Sequence, residues 1–345
     1  GKELDVAVLA RVLRLPRGQL AAALRALESA AFLQRESTTG GRAQLGFRHP
    51  LMQEVVYGAQ LRSRREVVHA SVAESMERRY GGSDRADELS ALVSHHWEQA
   101  GQPARAARQA ARSARWIRSG DSALAQQRWR KVLTLLEGEP ENQEVLALKA
   151  LAAGRVVFLG WRGGVTAREV SSLMDRALPV AREADPRLPQ LLRLARARVV
   201  QASGGSADDY VRELRAALAM PSPPGDSGRR ATIHIALCQA YGWAGLLREA
   251  LAANDVALAG LAEITGFDRD FIGFSVEHWA LGLRVRLLHR MGRMAEARAT
   301  FRELDESARH EDDPVIKTIV RSSALELACT DGRYEFAWRE ANWLR

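Results

Sequence analysis

Five arginines, Arg105, Arg108, Arg112, Arg115 and Arg118, recur every three or four positions, the spacing that lines one face of an α-helix. Such a stripe could meet phosphates, an acidic protein face or another module of the same chain, or be a solvated surface. Gly160-Trp161 and Gly242-Trp243 lie 82 residues apart, and Trp279 follows. Those indoles could face a small apolar or sugar-like ligand or a peptide, or could pack between helices. His95-His96 has metal-ligand residue types in the wrong arrangement. Adjacent helical positions point about 100° apart, and no further His or Cys lies three or four residues away, so a core or capping role is expected. Only four lysines occur, Lys2, Lys131, Lys149 and Lys317. None sits in the G-x-x-x-x-G-K-[ST] run that would cradle nucleotide phosphates, so the chain has no P-loop of its own. No cluster of nucleophile, base and orienting group stands out, and no paired carboxylates do. Catalysis and metal binding are therefore not expected of this chain.

These residues must be positioned by helices. Residues 3–58 read as helix, turn at Leu15-Pro16-Arg17-Gly18, helix, then two short strands over Phe32–Glu36 and Ala43–Phe47. That order is the layout of a winged helix, with a further helix opening at Pro50. Its second helix, 19–31, offers only Gln19, Arg25, Glu28 and Ser29 as polar groups, fewer than a reader of base edges needs. An intramolecular role is therefore expected, and nucleic acid is not an expected partner.

From about residue 60 the pattern is helical almost throughout, and Pro221–Gly228 (PSPPGDSG) is the stretch most like a flexible linker. A turn glycine followed five residues later by a small or aromatic residue, with apolar partners at four and seven beyond that, recurs from Gly120, Gly205, Gly245 and Gly292, with partial copies at Gly164 and Gly332. The intervals are 44, 41, 40, 47 and 40 residues. Asn254 is the misfit in its copy. The expected fold is an all-α, right-handed superhelical solenoid of helix pairs with a period of about 40–47, preceded by the small winged-helix module. In the copies at Gly245 and Gly292 the glycine should end the first helix in a left-handed cap, and a small residue should let the second pack closely. Expected domains are 1–60, 61–220 and 229–345.

Composition agrees with helices and excludes several classes. The 345 residues are 46% hydrophobic and 27% charged, too apolar for a disordered tail. No apolar run approaches the roughly 18 residues of a membrane helix, and two distant cysteines suit a reducing, cytoplasmic setting. The formal charge of +8 divides into +11 over residues 1–200 and −3 over 201–345. The basic residues are 46 Arg against four Lys, which with abundant Ala looks like coding bias as much as partner chemistry. Without an initiator Met, and ending inside an amphipathic run, the chain reads as a piece of a larger protein.

The helix pairs resemble the tetratricopeptide repeat. Leu237, Cys238 and Tyr241 fall where that motif places Leu, Gly and Tyr, and Ala250 falls on its second-helix Ala. Two departures are the period, longer than 34 residues, and the Cys in place of Gly. Phe47-Arg-His-Pro-Leu-Met-Gln-Glu-Val-Val-Tyr57, Arg62-Ser-Arg-Arg65, His69, Val72-Ala-Glu74 and His95-His96-Trp97-Glu-Gln-Ala-Gly101 resemble the junction between ATPase module and helical repeats in large bacterial signal-transduction ATPases of the STAND/AAA type. The later Trp279–Arg284 and Leu288–Ala297 are most like the branch linked to class III adenylate or guanylate cyclases; regulators of LuxR type or antibiotic regulators are the alternative. The resemblance implies a regulatory sensor and scaffold that binds a protein partner or small effector and controls an attached output domain. It implies ATP or ADP only together with an upstream ATPase module. It also carries over one position: His49, in the F-[RK]-H step, could donate a hydrogen bond to a nucleotide phosphate. The competing reading is that His49 caps the helix opening at Pro50.

Overall fold

The computed structural model describes residues 6–37, 43–83, 85–117, 120–163, 165–202, 204–222, 226 and 228–344, less the side chains of 35–37, 43–44, 161–163 and 201–202. The chain is mostly helical, with nineteen α-helices and one two-stranded sheet among the described residues. It divides into two compact units. The first runs through Trp116 and takes in Thr134–Glu139; the second takes Ile117–Leu133 and everything from Pro140.

The first unit holds α1 (Val6–Leu13), α2 (Arg17–Ser29), β1 (Leu33–Ser37), β2 (Ala43–Phe47), α3 (Pro50–Gly58), α4 (Arg62–Tyr80), α5 (Arg85–Glu88), α6 (Ser90–Gln99) and α7 (Pro103–Ile117). The strands pair antiparallel with Leu33 opposite Phe47 and Arg35 opposite Leu45. Helix α4 packs on α1 and α6, so α4 to α7 belong with the N-terminal elements in the first unit. Hydrogen bonds lace α4, α6 and α7 together. Trp97 Nε1 and Gln109 Nε2 both donate to Glu77 Oε1, at 2.9 and 2.7 Å, and Ser94 donates to the Ala106 carbonyl at 2.8 Å.

The second unit is a succession of helices: α8 (Ser122–Leu135, its last turn belonging to the first unit), α9 (Gln143–Gly163), α10 (Ala167–Ala184), α11 (Leu188–Ala202), α12 (Ala207–Leu218), α13 (Arg229–Trp243), α14 (Leu247–Ala259), α15 (Gly266–Ile272), α16 (Val276–Arg290), α17 (Met294–Ser307), α18 (Pro314–Thr330) and α19 (Tyr334–Trp343). Neighbours pair as α9/α10, α11/α12, α13/α14, α16/α17 and α18/α19. Starts are chemically marked where a side-chain oxygen takes a first-turn amide: Thr166 from Glu169, Ser206 from Asp209, Ser275 from His278, and Asp313 from Val315.

Turns inside the pairs carry the glycine caps expected at Gly245 and Gly292, and Gly332 repeats them. Gly245, Gly292 and Gly332 take φ of 77°, 74° and 70°. In each the next amide bonds five residues back at 2.9 Å: Leu246 to Tyr241, Arg293 to Leu288, Arg333 to Ala328. This is the Schellman arrangement, which occupies carbonyls the helix end would otherwise leave unbonded. Five residues after each glycine stand Ala250, Ala297 and Ala337, all buried. Gly120 and Gly205 do not use this cap; Gly204, at φ 89°, takes the left-handed position beside Gly205. Gly164 lies outside the described residues.

Two expectations change. Asn254, the misfit, is fully buried. Its Nδ2 donates to the Ala280 carbonyl at 2.9 Å and its Oδ1 accepts from Arg284 Nη1 at 3.2 Å, so a polar side chain fills an apolar register position by bridging to α16. The segment read as a linker is packed at Asp226 and Gly228, both buried. A Cβ on Gly228 would collide with the backbone of Glu263.

Candidate functional site

In the first unit His96, one of the two histidines expected to be core or cap, joins His69 and Tyr57 in one chain of hydrogen bonds. Tyr57 Oη lies 2.9 Å from His69 Nε2, and His69 Nδ1 lies 2.9 Å from His96 Nδ1. The His69 ring stands 5.1 Å from that of His96 and 6.1 Å from that of His95. The Arg65 guanidinium lies 4.8 Å above the Tyr57 ring. A contact between two Nδ1 atoms holds one hydrogen: one ring donates and the other accepts. His69 then plays the opposite part toward Tyr57, accepting through Nε2 if its Nδ1 donates. The chain can therefore hold or pass a single proton. Burial pushes His96 down to about 4, assisted by His69 and His95. Burial also lowers His69, with His95 and Arg65 adding to it. Both rings are neutral near pH 7. The sequence signal was present in the individual residues, but pairing across 27 positions is not readable from spacing.

Two arginines of the stripe are engaged within their own unit. Arg105 lies 4.5 Å above the Trp97 ring and 3.9 Å from Glu74. Arg112 Nε donates to Asp87 at 2.5 Å. Arg108 and Arg115 also have partners, and Arg118 lies outside the described residues. His49 is exposed at the N-cap of α3, where its carbonyl accepts from Met52 at 3.0 Å and its ring makes no capping bond.

The second unit builds its polar centres from arginine. Arg229 is fully buried at the start of α13. Its Nε and Nη2 donate to the two oxygens of Asp268 at 2.7 and 2.6 Å, and Nη1 donates to the Arg187 carbonyl at 2.6 Å. Thr232 adds a bond to Asp268 at 2.9 Å, and Asp226 accepts from the Arg229 amide at 2.9 Å. Three segments, the start of α11, the start of α13 and α15, are thereby tied to one guanidinium. Burial raises the Asp226 carboxyl despite Arg229 beside it. Elsewhere Arg155 donates to the Phe271 carbonyl and lies 5.8 Å from the Trp129 ring. Arg198 lies 4.9 Å above Phe158 and 5.1 Å above Trp279. Guanidinium groups alternate with rings, each covering an apolar face while its edge stays available for hydrogen bonds.

Of the three tryptophans read as ligand contacts or packing residues, two are described. Trp279 is 5% exposed and set edge-on to Phe274. Trp243 is 45% exposed and lies against Tyr210 with ring centres 5.7 Å apart. The side chain of Trp161 lies outside the described residues. Beneath Trp243, the Tyr210 hydroxyl is buried with no hydrogen-bond partner among the described residues, and burial pushes it up to about 12. Sequence reasoning did not single out Tyr210 as a polar group. It also missed Arg155, Arg198 and Arg229; only Arg155 carries a visible signal, an arginine inside an apolar run, Ala-Ala-Gly-Arg155-Val-Val-Phe.

Among the described residues no group of three His, Cys, Asp or Glu could hold a metal ion, and no helix is long and apolar enough to cross a membrane. No protein-family model matches the chain, and no curated protein matches it.

Proposed function

We propose that this chain is a non-catalytic regulatory segment of a multi-domain signalling ATPase. In this reading the second unit is a right-handed superhelix of tetratricopeptide-like pairs that binds a protein partner or small effector. The elements from α1 to α3 are the winged helix, which faces an upstream ATPase module and bound ADP through His49. The whole acts in the cytoplasm and controls an attached output domain.

The observation that carries this reading is the common cap. Gly245, Gly292 and Gly332 close three helix pairs with the same left-handed turn, the same bond five residues back and the same buried alanine five residues on. Repetition of one supersecondary unit makes a stacking scaffold, whose use is contact surface. Lack of a P-loop lysine leaves nucleotide chemistry to another module.

Small-angle scattering with an ATPase assay tests it. An extended superhelical profile and no turnover of Mg-ATP are expected. A compact globular profile, or ATP hydrolysis by the purified chain, overturns it.

A further inference from the structure

Five arginines of α4, α5 and α7 face carboxylates: Arg62 pairs with Glu66, Arg78 and Arg105 with Glu74, Arg85 with Glu88 and Arg112 with Asp87. Arg65 differs from them. Half-buried on α4, it makes no ion pair among the described residues, and its guanidinium lies 4.8 Å from the centre of the Tyr57 ring. A guanidinium held against a ring keeps its N–H groups for an oxyanion. The charged side chains that act on His69 are His95 and Arg65, and neither is acidic. The local field therefore favours an anion.

The hydrogen-bond chain beside Arg65 has two neutral arrangements. In the first, the Tyr57 hydroxyl donates to His69 Nε2, and His69 Nδ1 donates to His96 Nδ1. In the second, His96 Nδ1 donates to His69 Nδ1, His69 Nε2 donates to Tyr57 Oη, and the Tyr57 hydroxyl hydrogen is left to point outward. A phenol is the better donor and an imidazole nitrogen the better acceptor, so the first is the resting arrangement. Tyr57 is 37% exposed, so the hydrogen released in the second faces solvent beside Arg65. An oxyanion there draws it, because a hydrogen bond to a charged oxygen is about twice as strong as one between neutral groups.

The donor count selects the anion. The arginine fork reaches two oxygens of one group and Tyr57 a third. A carboxylate has only two oxygens, whereas a phosphate group offers three on one side.

We propose that Arg65 and Tyr57 bind a phosphate group, with His69 and His96 as the relay that turns the Tyr57 hydroxyl toward it. Each group keeps one hydrogen. His69 carries it on Nε2 instead of Nδ1, His96 on Nδ1 instead of Nε2, and no net proton is gained. The site goes beyond the function proposed above: His49 stands at the opposite end of α3, about 12 Å along the axis, and the assignment does not depend on the scaffold reading.

The test is a titration of the ¹⁵N-labelled full chain with inorganic phosphate at pH 7, with chloride holding the ionic strength constant. Saturable binding is expected, with His69 Nε2 and His96 Nδ1 both moving from unprotonated to protonated ¹⁵N shifts. Arg65→Gln should weaken binding at least about tenfold through loss of a charge-assisted contact. Tyr57→Phe keeps the ring under Arg65 and should weaken binding roughly threefold while abolishing the imidazole change. Arg64→Gln removes the same charge from the neighbouring position and should bind phosphate as the parent does. Far-UV CD spectra matching the parent confirm that each variant folds. A second titration with ADP separates the sources. The same imidazole change at lower concentration than with inorganic phosphate assigns the site to a phosphate ester, and the reverse order assigns it to the free ion. Failure to saturate with either, binding without the imidazole change, or equal losses in Arg64→Gln and Arg65→Gln overturns the site.

Discussion

The two units solve the same problem with opposite chemistry. Each ties polar side chains together where three helical segments meet. The first unit uses neutral imidazoles, His69 and His96, with the Tyr57 hydroxyl; the second uses a permanent cation, Arg229, held by Asp268 and Asp226. A neutral network costs less to desolvate but fails once protonated. A buried ion pair ignores mild acid but leaves an uncompensated charge when one partner goes.

The sharpest way to break the second unit is therefore a single deletion. Asp268→Ala leaves Arg229 buried with only Asp226 and a carbonyl, and should cost about 3 kcal/mol. Loss of amide-exchange protection across α13 and α15 measures it. Arg229→Met with Asp268→Leu should lose less than the two single changes summed, because neither charge then stands alone. An Asp268→Ala protein as protected as the parent would show that packing alone holds these segments.

Acid should separate the units next. His96 is held near 4 against an unfolded value of about 6.5, so between those values the unfolded chain binds more protons and stability falls as pH falls. The loss is about 2–3 kcal/mol at most, complete near pH 4, and His69 acts in the same direction. Below that, the contact between two Nδ1 atoms would place two cationic N–H groups face to face. Asp226 has the opposite sign: its folded carboxyl is raised, so acidification does not weaken the arginine cluster through it. Amide exchange at pH 7 and pH 4.5 should show α6 opening while α13 stays protected. His96→Phe should flatten the difference, and equal opening of both helices would end the comparison.

A smaller effect tests close packing in the second unit. Gly282→Ala drives a methyl group into Ile319 and should cost about 1–2 kcal/mol, read as a lower midpoint in urea.

What was legible in the sequence follows from how local each interaction is. The caps at Gly245 and Gly292 were legible because a left-handed turn needs only its own residues. The buried alanines after them follow from the same register. His69 with His96, Arg229 with Asp268 and Arg155 with Phe271 are separated by 27, 39 and 116 positions, and nothing in the local text pairs them. Pro221–Gly228 misled because Pro, Gly and Ser mark irregular backbone, not exposure; Asp226 is irregular and buried. Arg105–Arg115 illustrate the same limit. A periodic stripe announces one helix face, but whether that face meets solvent or Trp97, Glu74 and Asp87 depends on neighbours.

The smallest effect compares one backbone device in both units. Helix α2 ends with Ala31 at φ 60° and a Phe32 amide bonded to the Leu27 carbonyl at 3.0 Å, the same turn that Gly292 makes after α16. An L side chain in this conformation costs roughly 1–2 kcal/mol, of which a glycine returns about 0.5–1 through its greater freedom when unfolded. Ala31→Gly should therefore stabilise the first unit slightly, by under about 1 kcal/mol. Gly292→Ala should destabilise the second by about the same amount, since nothing lies within 4 Å of its added methyl to contribute a clash. Opposite shifts in the urea midpoint identify the cost as backbone strain. Shifts of the same sign would show that the methyl group of Ala31 is held by contacts worth more than its strain.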